Sequence, residues 1–228
     1  MVNIYSIRID SYIDSEIYDY LLQLVSEEKR AKIKKFKFLE DGLRCLLGNL
    51  LSRYAIIKRT GYKNNELKFS VTEYNKPILT EPDKSNFNIS HSGNWAVCAI
   101  SDAPVGIDVE LIKTIELEIA KRFFTNYEYT CLMKQSPADL LKFFYTLWTL
   151  KESYIKADGR GLSIPLDTFS IDVCNDQISL ITNNELNSCY FRSFSLDERH
   201  IASVCSLTDD ITDSIEEVTV NDLIQILV

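Results

Sequence analysis

The chain has 228 residues, 46% of them hydrophobic, and a formal net charge of −8. That length and apolar content suffice for one large domain or two small ones, and the negative balance argues against general nucleic-acid binding, which needs a basic surface. No apolar run approaches the roughly 20 residues of a membrane span, and the opening MVNIYSIRIDSYIDSE lacks the basic start and long apolar stretch of a signal peptide, so a cytoplasmic protein is expected.

In chain order, residues 2 to 8 alternate as a strand, and helical spacing runs over 13 to 24, 26 to 37 and 39 to 59. The last of these carries Leu43, Leu46, Leu47, Leu50, Leu51 and Tyr54 on one stripe, with Gly61 as its cap. A strand-rich region follows: KFSVTE, the turn YNKP, then FNIS and WAVCAIS joined through Ser92, Gly93 and Asn94, which is hairpin chemistry. PVGIDVE reads as a buried strand. Short helices are expected over 117 to 124 and 125 to 134, where Thr125 and Glu128 have capping-box spacing, which leaves Glu128 outside any site. Ser136 and Pro137 open a long helix reaching about Lys156, and ADGRGLSIP breaks it. Strands near 168 to 173, 177 to 182, 188 to 195 and 199 to 206 and a final helix in VNDLIQIL complete the series.

Helices followed by strands thus occur twice, and the similar endings WAVCAIS and HIASVCS suggest two related halves, 1–104 and 105–228, with a cleft between them. The six cysteines, Cys45, Cys98, Cys131, Cys174, Cys189 and Cys205, show no CxxC spacing and read as reduced core thiols.

Chemistry concentrates in a few places. Asp108 and Glu110, two apart in a strand, project from one side roughly 6 to 7 Å apart. Two such charges need a proton, a salt bridge or a divalent cation between them. In the long helix, Trp148, Glu152 and Lys156 recur at i, i+4 and i+8 and share a face. Alone, Glu152 and Lys156 are a surface pair. If Glu152 meets Asp108 and Glu110, three carboxylates converge, and magnesium with substrate phosphates completes such a shell best. Only His91 and His200 are present, without HxxxH spacing, so a histidine-rich zinc site is not expected. Ser90, His91 and Ser92 stand at a strand end and can donate to an anion. The segment EEKRAKIKKFKF carries Lys29, Arg30, Lys32, Lys34, Lys35 and Lys37, with Arg44 following, and is either a solvated helix face or a site for a small, multiply charged anion.

GIDVE followed by WTLKESYIK is similar to the paired signatures of the 4′-phosphopantetheinyl transferases of the surfactin-synthetase-activating type. EEKRAKIKKF, LRCLLGNLLSR, EYNKP, FNISHSG, IAKRFFTNYEY and GLSIPLDTFSI match in order over nearly the whole chain. The resemblance implies a monomer of two pseudo-symmetric α+β halves, each of helices packed on antiparallel sheet, with the active site in the cleft between them. It also implies transfer of the phosphopantetheine of coenzyme A, the co-substrate, to a serine of an apo acyl or peptidyl carrier protein, with magnesium and release of 3′,5′-ADP. By motif position Asp108, Glu110 and Glu152 hold the metal, Glu152 or Glu110 takes the serine proton directly or through water, and Lys156 steadies the pyrophosphate or protonates the leaving group. The same match gives Lys29, Lys32, Arg44 and His91 to the 3′-phosphate, Tyr74, Asn75, Lys76 and Pro77 to the adenine, and Ser90, Asp108 and Lys156 to the coenzyme's phosphates. Two positions depart from the pattern: Cys45 stands where a phosphate-contacting threonine is common, and Asn75 replaces the turn glycine, a position that asparagine tolerates. A magnesium-dependent pyrophosphate hydrolase and a non-catalytic coenzyme A sensor are the alternative readings.

Overall fold

The computed structural model describes residues 1–9, 13–82, 85–174 and 177–228. One pattern occurs twice. β1 (Asn3–Arg8) leads to α1 (Ser15–Gln23), α2 (Glu27–Ile33) and the long α3 (Leu39–Thr60), then to the hairpin of β2 (Lys68–Val71) and β3 (Pro77–Glu81). β4 (Asn86–Ser92) and β5 (Trp95–Ser101) follow and return to β1, giving the antiparallel order β1-β5-β4. The second pass runs β6 (Val105–Leu111), α4 (Leu117–Phe123), α5 (Asn126–Met133), the long α6 (Leu140–Asp158), and the hairpin of β7 (Ser170–Cys174) and β8 (Gln177–Ile181). It ends with β9 (Tyr190–Asp197) and β10 (His200–Ser206) in the antiparallel order β6-β10-β9. The expected α+β class of two similar halves is what the chain forms.

The closing elements do not stay with the second pass. β11 (Glu216–Val218) pairs parallel with β1, Tyr5 opposite Glu216, and α7 (Val220–Leu227) packs on α3. Residues 216–227 therefore lie against the first half.

The leucine stripe of α3 folds as its spacing predicts. Leu43, Leu46, Leu47, Leu50, Leu51 and Tyr54 are buried against Ala96, Cys98 and Ile100 of β5, and each such side chain contributes about 1.5–3 kcal/mol by leaving water. α6 covers the second sheet in the same way through Leu147, Leu150, Tyr154 and Ile155. Between the sheets lies a third cluster, in which Ile4, Val97 and Ala99 meet Ile107, Val109, Ala202 and Val204. α6 approaches β6 unusually closely. A Cβ at Gly106 would fall inside the contact distance of the Ser153 carbonyl oxygen and the Ala157 amide nitrogen, so only glycine lets the helix backbone lie there.

Several boundaries differ from expectation. α2 stops at Ile33 rather than 37, and its N-cap Ser26 accepts the Lys29 amide. The long helix begins at Leu140 because Ser136 and Asp139 close a turn first: Ser136 Oγ donates to Asp139 Oδ2 and accepts from its amide. β3, which opens with Pro77, and the three-residue β11 were not expected as strands.

Candidate functional site

The seam between the halves is where β4 meets β6. β4 pairs with β5 along one edge and β6 with β10 along one edge, and the two remaining edges are laced by side chains instead of a backbone ladder. Alternate residues of β4 supply the lacing. Asn88 Oδ1 accepts the Ile107 amide at 2.9 Å, Ser90 Oγ donates to Asp108 Oδ1 at 2.8 Å, and Ser92 Oγ donates to Glu110 Oε2 at 2.7 Å while accepting the Leu111 amide at 3.2 Å. A period-2 strand forces this: if Asn88 reaches β6, Ser90 and Ser92 must as well.

α6 brings the cation. Lys156 Nζ donates to Asp108 Oδ1 at 2.6 Å, to Ser90 Oγ at 3.1 Å and to the Ile107 carbonyl at 3.3 Å. Its backbone carbonyl accepts Lys76 Nζ at 2.6 Å, which ties the β2–β3 turn of the first half to α6 of the second. Burial pulls the Lys76 ammonium below the usual lysine range, and Asp158 opposes the shift.

Three possibilities were open for the paired acids, and the salt bridge is present. Asp108 is salt-bridged to Lys156 and only 4% exposed. Glu152, one turn before Lys156, has its pKa pushed up to about 7 by burial and by the charges of Asp108 and Glu110, with Lys156 opposing. Burial also raises Glu110, which Asp108 reinforces and the Ser92 hydrogen bond offsets. Among the described residues, no three His, Cys, Asp or Glu side chains are gathered closely enough to ligate one ion. Asp108 Oδ2 nevertheless is buried with no hydrogen-bond partner among the described residues. Asp108 Oδ2 is thus an orphaned hard-oxygen donor with two carboxyls pushed towards protonation in electrostatic range, and an oxygen of this kind suits a divalent cation.

His91, on the same strand end, has its pKa lowered by burial and by the charges of Lys156 and Arg44. Arg44 is held at two points: its Nε donates to the Gly93 carbonyl at 2.9 Å and its Nη1 to Asp41 Oδ1 at 2.7 Å. Lys29 and Lys32 are on α2, half-buried and exposed respectively, and among the described residues neither ammonium has an ion pair or hydrogen bond with this group. Tyr74 to Pro77 form the tight β2–β3 turn. Thr72 and Lys76 are bonded across it, and Asn75 takes φ +62°, the left-handed conformation that the usual glycine would supply. A cavity of about 530 Å³ lies between Tyr74 and Asn75 on one side and Arg160 to Ser163 on the other. Cys45 is half-buried and packs on the first core.

Sequence reasoning missed three elements. The Asn88 and Ser92 contacts could have been read from the alternation of N, S and S in FNISHS. The Lys76 to Lys156 link has no local signal. Glu128 caps α5 as expected, but it also forms a fully buried pair with Lys151, whose ammonium is 2.6 Å from Glu128 Oε1 and donates to the Phe169 carbonyl. Burial pulls Lys151 below the usual lysine range while Glu128 opposes it.

Comparison with known proteins identifies the family. Residues 104–205 match the family model described as 4′-phosphopantetheinyl transferase superfamily, and residues 14–103 match 4′-phosphopantetheinyl transferase, N-terminal. The chain is 38% identical to 4′-phosphopantetheinyl transferase Sfp of Bacillus subtilis over 98% of its own length and 100% of the relative's. It is 36% identical to 4′-phosphopantetheinyl transferase gsp of Aneurinibacillus migulanus, covering 98% of this chain and 94% of that one. A solved holo-[acyl-carrier-protein] synthase of Thermotoga maritima covers 46% of the chain and is itself covered over 62%, at 19% identity and a TM-score of 0.40. Identity on this scale, running through both halves and the seam between them, makes the chain a member of the Sfp-type 4′-phosphopantetheinyl transferase family.

Proposed function

We propose that this transferase moves the phosphopantetheine of coenzyme A onto a serine of an apo acyl or peptidyl carrier protein, releasing 3′,5′-ADP, in the cleft along β4, β6 and α6. The observation that carries the reading is that Glu152, Glu110 and the Lys156-bound Asp108 lie within reach of one another's charge at the seam. In the reaction the serine oxygen forms a bond to the phosphorus next to pantetheine. The bridging P–O bond breaks, its electrons leave with 3′,5′-ADP, and the serine proton passes to Glu152. A carboxyl that titrates near neutrality can accept that proton at physiological pH, and Glu110 is the second candidate. Lys156, fixed by three acceptors at the seam, would offset the negative charge that develops on the leaving group.

Asp108, Glu110 and Glu152 would hold magnesium, which when bound offsets the charge of the pyrophosphate and keeps a neighbouring carboxylate ionised. The orphaned Asp108 Oδ2 supports this assignment. Arg44 and His91, with Lys29 and Lys32, would take the 3′-phosphate, and Tyr74 to Pro77 the adenine, beside the 530 Å³ cavity. We read residues 1–104 and 105–228 as the two halves and the working unit as a monomer. The cytoplasm is the compartment that free cysteines suit.

The test is a purified apo carrier protein incubated with the enzyme, coenzyme A and magnesium. A carrier that gains phosphopantetheine, only when magnesium or manganese is present, is the expected result. Release of 3′,5′-ADP with the carrier unmodified would show a hydrolase, and binding without turnover a sensor.

A further inference from the structure

The turn between β4 and β5 is gripped from three sides. Arg44 of α3 donates to the Gly93 carbonyl, the Ile9 amide donates to the Asn94 carbonyl at 2.8 Å, and His200 of β10 presses its imidazole on Gly93. A Cβ at Gly93, which has φ +55°, would fall inside the contact distance of His200 Nε2 and 3.2 Å from Leu111 Cβ. The ring is itself held. His200 Nδ1 lies 2.9 and 3.0 Å from the two Asp197 oxygens, and Asp197 Oδ2 also accepts Trp95 Nε1 at 2.8 Å. With Nδ1 bonded to the carboxylate, Nε2 is left buried and without a hydrogen-bond partner among the described residues, and His200 is only 5% exposed. An unpaired ring nitrogen against a glycine makes a wall, not a hydrogen bond.

We propose that His200 is a positioning residue for the coenzyme's phosphate site: the bulk of its ring props the Gly93 turn so that the Gly93 carbonyl fixes the Arg44 guanidinium. The planar fork of an arginine recognises an anion only in the orientation in which it is held. Two restraints set that orientation here, and one of them is the carbonyl of a turn that the imidazole backs. The proposal rests on the reading that Arg44 meets the 3′-phosphate.

Two substitutions separate ring from polar bond. His200→Asn keeps a donor where Nδ1 stood and so keeps the Asp197 contact, but removes the wall. His200→Phe keeps the wall and loses the bond. For His200→Asn the KM for coenzyme A should rise about tenfold with kcat within about threefold, while the KM for 3′-dephospho-coenzyme A stays within about threefold of the parent. His200→Phe should stay within about threefold on both donors. An unchanged coenzyme A KM for His200→Asn overturns the proposal, as does an equal rise for both donors or an equal loss in His200→Phe.

A measurement that needs no coenzyme stands beside it. Gly93→Ala sets a methyl against the ring, and His200→Asn opens that space, so the double variant should melt no lower than Gly93→Ala alone. Additive losses would mean that the ring does not bear on the turn. If the parent neither binds nor uses coenzyme A, the proposed function fails, and this melting cycle alone decides whether His200 props the turn.

Discussion

α3 and α6 occupy equivalent places, each the long helix laid across a three-strand antiparallel unit, yet they touch their sheets differently. α3 buries a leucine stripe, and Gly48, the buried glycine that faces the sheet, leaves ordinary room: a Cβ there would lie 3.8 Å from the His91 ring and 3.9 Å from Ala96 Cβ. α6 buries Thr149, Lys151 and Ser153 along with its apolar face and comes so close to β6 that Gly106 has no room for a side chain. The first arrangement is a core. The second is a core that also delivers Lys156 to a neighbouring strand at hydrogen-bond range and brings Glu152 within reach of the charges on that strand. A duplicated scaffold thus separates the two tasks: the half without Asp108, Glu110 and Glu152 packs for stability, and the half that bears them accepts close backbone contact and buried charge.

The sharpest way to break this comparison is to add one methyl group to each helix contact. Gly106→Ala pushes on helix backbone that cannot rotate away, and a loss of about 4 kcal/mol or more in denaturant unfolding, or no folded protein, is expected. Lys151→Met comes next. It leaves Glu128 buried without its cation and should cost about 3–5 kcal/mol, part of which Glu128→Gln in the same chain should restore.

Glu152→Gln tests what the crowded acids do. Transfer should fall at least about a hundredfold, in a continuous assay of carrier modification. Its stability should move the other way when magnesium is withheld. The folded pKa of Glu152, about 7, lies above the ordinary glutamate value. The stability tied to its protonation is therefore complete below about pH 4.5 and is lost as pH rises through 7. The glutamine variant has no such loss. Its melting temperature should match the parent's near pH 5 and exceed it at pH 8, by the equivalent of about 2 kcal/mol after allowing for solvent screening. A parent whose metal-free stability stays flat over that range would remove the carboxylate-crowding argument. The smallest effect is the counterpart of the first: Gly48→Ala should stabilise by about 0.5–1 kcal/mol, because alanine favours helix and the space exists.

Much of this was legible in the sequence, and the reasons differ from place to place. The stripe in α3 and the shared face of Glu152 and Lys156 follow from helical period alone, and Asp108 with Glu110 from strand period. Asn75 was readable because an asparagine at a glycine position announces its backbone conformation. β3 was hidden by its leading proline, and β11 by its length, since three residues paired in parallel to a strand at the other end of the chain carry no local pattern. The start of α6 was misplaced because Ser136 and Pro137 look like a helix entrance, whereas the serine hydroxyl is spent on a preceding turn. Lys151 was passed over for a similar reason. Nothing local distinguishes a lysine that will be wholly buried from one on a surface, and its partner Glu128 already had a sufficient role as a cap.

The parallel pairing of β11 with β1 has a consequence for how the chain is made. β1 is the first described strand to leave the ribosome, β11 the last, and they are direct neighbours. Throughout synthesis β1 has β5 on one side and an open edge on the other, an invitation to foreign strands. The second unit, β6 to β10, needs nothing from the tail to close its own sheet. The half made first is therefore finished last, and a release of the chain short of residue 216 would yield a second sheet with all its strands joined to a first sheet without its edge strand.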